Sequence, residues 1–549
     1  MPKATWQELC ASKRAERDAS IPKEWLLKEL PSERVANVMN WPYSCGAMSA
    51  EELAITELDA TELLSRMAAG HLKSYDVVLA FCRRAAIAQQ LLNCLTMMFV
   101  EEALERAKEL DEYREKTGKV VGPYHGLPFS IKDQFAIKAK ESNTGIVSLI
   151  GQVPTEDAVV VRLLREAGAV FYCKTTQPQS KLSQVYGRTL NPFNRNLTCG
   201  GSSGGEGALV AFRGSPIGLA ADIGGSIRSP AANNGLYGAK ITAGRVPLAG
   251  IVTSLVGYDS IPVAVGPVCR SARDNAYFFK TILATEPWRV CHDLVPLSWR
   301  SVALPKKLTV ALLWDDEIVK PHPPVTAALK NIKAKLQSLP DHFEIVDWQP
   351  FQHAEGYEVV RSLYFPDGGK VYKDLLDVSG EPALPLTEWV LKESHVKEQT
   401  IADLSRLNGR RDAYRAAYLS YWAARPSVDF IVAPVGPGVA PAHETARYWG
   451  YTAVWNILDW PAYAFPTGES VSPELHPKDL TYQPRNNEFD AYNWANYDPV
   501  VSAGAPISLQ LVGRKWDDER VVEAVARIAA VIEAPAKVTR SGSEAAQPT

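Results

Sequence analysis

Histidine is scarce in this chain, with 9 among 549 residues, and none falls between His125 and His292. The middle of the sequence therefore lacks the usual base for a serine nucleophile and the commonest metal ligand. The 8 cysteines run from Cys10 to Cys291, scattered and without a CxxC pair. A four-ligand zinc site needs clustered ligands, and disulfide frameworks belong to much shorter chains. Net charge is nearly absent, at −3, which argues against phosphate-backbone binding as the main task and predicts no nucleic-acid partner. No run of eighteen apolar residues occurs, so no membrane span is expected. The opening stretch, MPKATWQELCASKRAERDAS, lacks the apolar core of a signal peptide. These absences together predict a reducing, cytoplasmic setting.

What is present is ordinary for a globular protein: 46% hydrophobic and 22% charged residues. Gly and Pro, 36 and 38 residues, are far below collagen or low-complexity levels. The length fits two to four ordinary domains or one large elaborated one. Residues 1–55 carry many charges with several Trp and Pro, and read as an arm on a larger body. Asp59, with Glu62 three positions on, is a helix-start signature ahead of Leu63, Leu64 and Met67. Further helices are expected from Ser74 and over 101–115. LPFSIKD (127–133) reads as a buried strand ending at Lys132 or Asp133, 157–168 as a helix, and 169–175 as the next strand. Strand, helix and strand at this spacing imply parallel pairing. Strands are also expected at 308–314, 428–435 and 506–513, with a closing helix at 517–532 and a disordered tail.

Chemistry concentrates between 199 and 229, where GGSSGG (200–205) and DIGGSIR (222–228) flank an apolar stretch. A flexible Gly/Ser linker has no reason to embed ALVA or IGLA. A phosphate cradle is disfavoured, because no lysine follows these glycines and the GxGxxG spacing is missing. Gly201 to Gly205 formally matches GxSxG, which would make Ser203 the nucleophile of a serine esterase. That motif also needs an HGGG-type loop, which is absent, and a downstream histidine in a recognisable context. The remaining reading uses lysine as base. A neutral amine at pH 7 requires a lysine pKa lowered by several units, and burial does this. Lys132, at the end of an apolar strand, qualifies; taken alone, it is equally a strand-end lysine reaching for solvent or for Asp133.

GLPFSIKD around Lys132, then GGSSGGEGAL, then DIGGSIRSP resemble, in this order, the amidase signature family of amide hydrolases. The match continues through GLYGAKITAGRVPLAG (235–250), VGPVCRSARD (265–274) and GAPISLQLVGRKWDDERVV (504–522). The N-terminal WQELCASKRAERDASIPKEWLL and RYWGYTAVWNILDWPAYAFPTG (447–468) resemble its fungal acetamidase-like branch. The resemblance implies an α/β fold: a single large catalytic domain over 75–535 with a mixed, mostly parallel twisted sheet covered by helices on both faces. It also implies a helical arm over 1–74 and a disordered tail over 536–549. Carried over residue by residue, it makes Ser226 the nucleophile, Ser202 the bridging serine and Lys132 the base, with a cis peptide between Gly201 and Ser202. Backbone N–H groups of Ile223, Gly224, Gly225 and Ser226 are then expected to converge on the oxyanion. Asp222 and Arg228 are expected to orient the serine loop, with Ser203 hydrogen-bonded in the same network. No metal and no cofactor are implied. The expected partner is a small-molecule amide; a homodimer, or an amidotransferase-type relative needing a protein partner, stays open.

Two departures stand out: Ala221 precedes Asp222 where the family commonly has Thr, and GAKIT (238–242) replaces the usual GLKPT. The acetamidase-like resemblance implies short aliphatic or simple aromatic primary amides, in nitrogen use or a specialised pathway. Aromatic residues in 361–369 and 447–456 are candidates for an apolar acyl pocket or for ordinary packing. The polar and aromatic stretch 477–498 reads as a surface excursion.

Overall fold

The structure is a computed structural model that describes residues 4–177, 183–254 and 256–533; the expected tail lies outside the described residues. Eleven strands are found among them: β1 Leu95–Met98, β2 Pro128–Lys132, β3 Val170–Thr175, β4 Ile217–Asp222, β5 Tyr237–Lys240, β6 Ala264–Cys269, β7 Leu308–Leu313, β8 Phe343–Trp348, β9 Phe430–Pro434, β10 Ala462–Ser470 and β11 Pro506–Val512. They form one sheet in the order β1-β3-β2-β4-β6-β5-β10-β11-β9-β7-β8.

The strand–helix–strand reading of 127–175 holds, since β2 and β3 pair in parallel across the helix Val159–Glu166. Parallel pairing extends from β2 to β4, and from β7 to both β8 and β9. The expectation of a mostly parallel sheet is corrected, because the other neighbouring pairs are all antiparallel. Antiparallel neighbours need no crossover helix, and the segment between β5 and β6 carries none among its described residues. The βαβ unit at 127–175 is thus local and does not set the direction of the central strands.

Alternation along the strands builds the two layers. Leu312 and Val432 face one core with the helices Ala272–Ala284, Pro323–Gln337 and Asp518–Glu533. Ala311, Leu313, Ile431 and Ala433 face another with the helices His353–Tyr364, Ile401–Ala423 and Gly450–Ile457. In β2, Phe129 and Ile131 enter the first core, which turns Ser130 and Lys132 to the opposite side, where the helix Gly204–Ala211 lies. Lys132 is thereby committed to a buried position by the phase of its own strand.

The helix starts follow their capping chemistry. Asp59 accepts from Glu62 N at 3.0 Å. At Ser74 the cap comes from elsewhere, because the Asp111 carboxylate accepts from Ser74 N at 2.7 Å and Tyr75 N at 2.9 Å. The helix Trp6–Ala19 opens on a capping box between Thr5 and Glu8. It is tied to the rest of the chain by Lys13 to Glu141 at 3.1 Å and by Arg17 to Asn93 at 2.7 Å. Among the described residues no disulfide is formed. Among the described residues, no helix is long and apolar enough to cross a membrane.

Candidate active site

Lys132 closes β2 with its side chain 1% exposed, and its Nζ donates to Ser202 Oγ at 2.7 Å. Burial pulls its ammonium down to about 7 from an ordinary 10.5, against the opposing pull of Asp222 and Glu206. Ser202 stands just ahead of the helix Gly204–Ala211, and the Gly201–Ser202 peptide is cis. Ser202 and Ser226 both line one cavity of about 360 Å³, together with Ile223, Gly224 and Gly225.

The loop 223–227 emerges from β4, whose last residue, Asp222, anchors it. The buried Asp222 carboxylate accepts from Gly225 N at 2.7 Å, Ile227 N at 3.1 Å and the Arg228 guanidinium at 3.1 Å on both prongs. Burial alone would raise its pKa, but Arg228, Asn456 and the backbone donors outweigh that and hold it well below the carboxylate range. Gly225 has φ +126°, and a Cβ on it would lie 2.4 Å from Thr452 Oγ1, so this position tolerates no side chain. Of the four backbone donors expected to converge on an oxyanion, that of Gly225 is instead directed at Asp222. Ile223, Gly224 and Ser226 remain for that role.

Ser203 is also corrected. Its hydroxyl is fully buried with no hydrogen-bond partner among the described residues, and it does not line the cavity. Ala221, where the family commonly has Thr, lies buried in β4 beside Asp222.

Several groups that the sequence did not single out complete the site. Arg228 also donates to Asn456 Oδ1 at 2.5 Å and Gln510 Oε1 at 3.1 Å, while Asn456 Nδ2 donates to Asp222 Oδ1 at 2.9 Å. Thr452 Oγ1 donates to Gly224 O at 2.6 Å. Lys240, from the divergent GAKIT, is buried and donates to Trp460 O at 3.0 Å, at the end of the helix carrying Thr452 and Asn456. Glu206, on the first turn of the helix Gly204–Ala211, accepts from Ser130 and from Thr175 Oγ1 at 2.8 Å. The one available signal for Gln510 was a large polar side chain inside a mostly apolar strand.

The cavity wall draws on both aromatic segments. Tyr364 and Phe365 come from the first, Tyr448 and Trp449 from the second. The stretch 477–498 is not simply a surface excursion, because Asn493, Asn496 and Tyr497 reach the cavity, where His322 stacks on Tyr497 at 4.7 Å between ring centroids. Burial pulls the His322 imidazole down to about 4, so it stays neutral near pH 7.

Known proteins are similar to this chain over nearly its whole length. The family model described as Amidase matches residues 76–522. An acetamidase of Aspergillus oryzae is 40% identical over 95% of this chain and 98% of its own length. An acetamidase of Emericella nidulans is 38% identical over 95% of this chain and 97% of its own. The solved structure of a fatty acid amide hydrolase superposes with a TM-score of 0.92 at 37% identity, covering 96% of this chain and 95% of that one. The chain belongs to the amidase family, hydrolases that act on linear amide C–N bonds.

Proposed function

We propose that this chain hydrolyses a carboxylic acid amide through an acyl-enzyme on Ser226, with Ser202 as proton bridge and Lys132 as base. The observation that carries this reading is the buried Lys132 amine 2.7 Å from Ser202 Oγ, in a setting that lowers its pKa to about 7, so that a large share is neutral at neutral pH. Neutral Lys132 takes the Ser202 proton as Ser202 takes that of Ser226, and Ser226 Oγ attacks the amide carbonyl. The carbonyl π pair moves onto oxygen, where the N–H groups of Ile223, Gly224 and Ser226 stabilise it. The relay then returns the proton to the departing nitrogen, the C–N bond breaks, and the acyl-enzyme is hydrolysed by water along the same route.

The relatives named acetamidases support a small primary amide. A cavity of about 360 Å³ with Trp389 and Trp449 in its wall supports an apolar group larger than methyl on the acyl side. The test is labelling with a fluorophosphonate followed by peptide mapping. Adduct on Ser226, lost in Ser226→Ala and kept in Ser203→Ala, is the expected result. Adduct on Ser203 would overturn the assignment in favour of an esterase-type elbow.

A further inference from the structure

Tyr364 ends the helix His353–Tyr364 and stands over the serine loop. Its hydroxyl donates to Ile223 O at 3.3 Å. A Cβ on Gly224 would lie 1.9 Å from Tyr364 Oη, so the phenol occupies the space that this glycine leaves empty. Trp449 packs edge-on to the ring with centroids 6.1 Å apart, and the backbone just before it is held by the Tyr258 hydroxyl, which donates to Leu363 O. A phenol held this way is part of the floor of the site, within the same cavity as Ser226.

We propose that Tyr364 accepts a hydrogen bond from the scissile nitrogen of the substrate and so selects amides over esters of the same acid. A hydroxyl has one proton and two acceptor positions. With the proton committed to Ile223 O, what Tyr364 offers the cavity is an acceptor. A primary amide meets that acceptor with an N–H; the bridging oxygen of an ester meets it with lone pairs only. A site built to pair with a substrate N–H discriminates against the analogue that lacks it, because the remaining acceptor position of the phenol then meets only lone pairs. Burial, reinforced by the nearby Asp222 carboxylate, pushes the phenol well above its ordinary value, so the hydroxyl stays neutral throughout the working range.

This inference rests on Ser226 as the attacking group, and the test separates the two. Wild type and Tyr364→Phe are compared on phenylacetamide and methyl phenylacetate, with each kcat/KM expressed per site titrated by a fluorophosphonate. Normalising to titrated sites removes any loss of folded protein. The expected result is a fall of about tenfold on the amide with the ester changed by less than about threefold, the size of one lost hydrogen bond. A merely structural role for the phenol, or a role as oxyanion donor, would lower both substrates by the same factor, and that outcome would overturn the proposal. An unchanged pair of values would overturn it equally. The position of the label reports on Ser226 independently, since the amide-to-ester ratio is read the same way whichever serine carries it.

Discussion

The carboxyl of Glu206 fills the space that a side chain on Gly218 would take: a Cβ at Gly218 would lie 1.9 Å from Glu206 Oε2. The pocket for this carboxyl is completed by hydroxyls from Ser130 and Thr175. Ser130 is two residues before Lys132 on β2, and Thr175 is the cross-strand partner of Lys132 on β3. Glu206 therefore sits on the same face of the sheet as the amine, one step deeper. Burial pushes its carboxyl up to about 8, opposed by the Ser130 and Thr175 hydrogen bonds and by Lys132.

Replacing Glu206 with Gln should leave the acid limb of the pH profile nearly in place. The active form has Lys132 neutral, so kcat/KM in the wild type is expected to rise with pH through about 7. With its carboxyl pushed up to about 8, Glu206 is mainly neutral through that range, as Gln is, so the substitution removes little charge from beside the amine. A limb that moves clearly to lower pH would show that Glu206 is ionised beside the amine.

Lys132→Met should abolish turnover and stabilise the fold. The amine falls from 10.5 to about 7 on folding, so between those values the unfolded chain binds more protons than the native one. Stability then rises with pH across that window, and at neutral pH the buried lysine costs on the order of 2–4 kcal/mol, at ~1.4 kcal/mol per pH unit less what relaxation recovers. Methionine matches its shape without this cost. Denaturant unfolding at pH 7 checks the prediction; a variant less stable than wild type would mean that the amine is solvated after all.

Local pattern carried much of this structure, and distance hid the rest. β2, the helix Val159–Glu166 and β3 were legible because each is a short periodic run with its own boundaries. The same alternation that marks β2 as a strand places Lys132 opposite Phe129 and Ile131. The partners of Arg228 were not legible, since Gln510 lies 282 positions away and Asn456 lies 228 away. Nothing in a window of fifteen residues reports such pairing. The same limit explains the strand directions, as β4 meets β6, and β5 meets β10, through contacts that no single βαβ unit encodes. Asp222 was legible as a support residue, but that it captures the Gly225 N–H depends on the fold of the loop itself.

Asp222→Asn should leave a nearly isosteric side chain and still cost stability. Asp222 and Arg228 are both fully buried, and removing one charge from such a pair typically costs ~3–5 kcal/mol. The Asp222 carboxyl is held below its ordinary value, so its contribution is present above the unfolded-state pKa and lost as pH falls through the folded-state one. The variant should accordingly lose less stability on acidification than the wild type, while its reaction with a fluorophosphonate slows. Equal slopes of stability against pH in the two proteins would contradict the pairing.

The size of the cavity makes a prediction about substrate. Acetamide has four heavy atoms, whereas about 360 Å³ lies within the range of pockets that enclose drug-sized ligands. If Trp389 and Trp449 receive the acyl group, each added methylene that becomes buried contributes ~0.8 kcal/mol, or about a fourfold gain in kcat/KM. A series from acetamide through longer aliphatic amides to arylacetamides, with Ser226→Ala as the blank, should climb until the cavity is full. Trp449→Ala removes one wall of that space, and the optimum should then shift to a longer chain while acetamide changes little. A series that is flat from the first member, in wild type and Trp449→Ala alike, would place the acyl group outside this cavity.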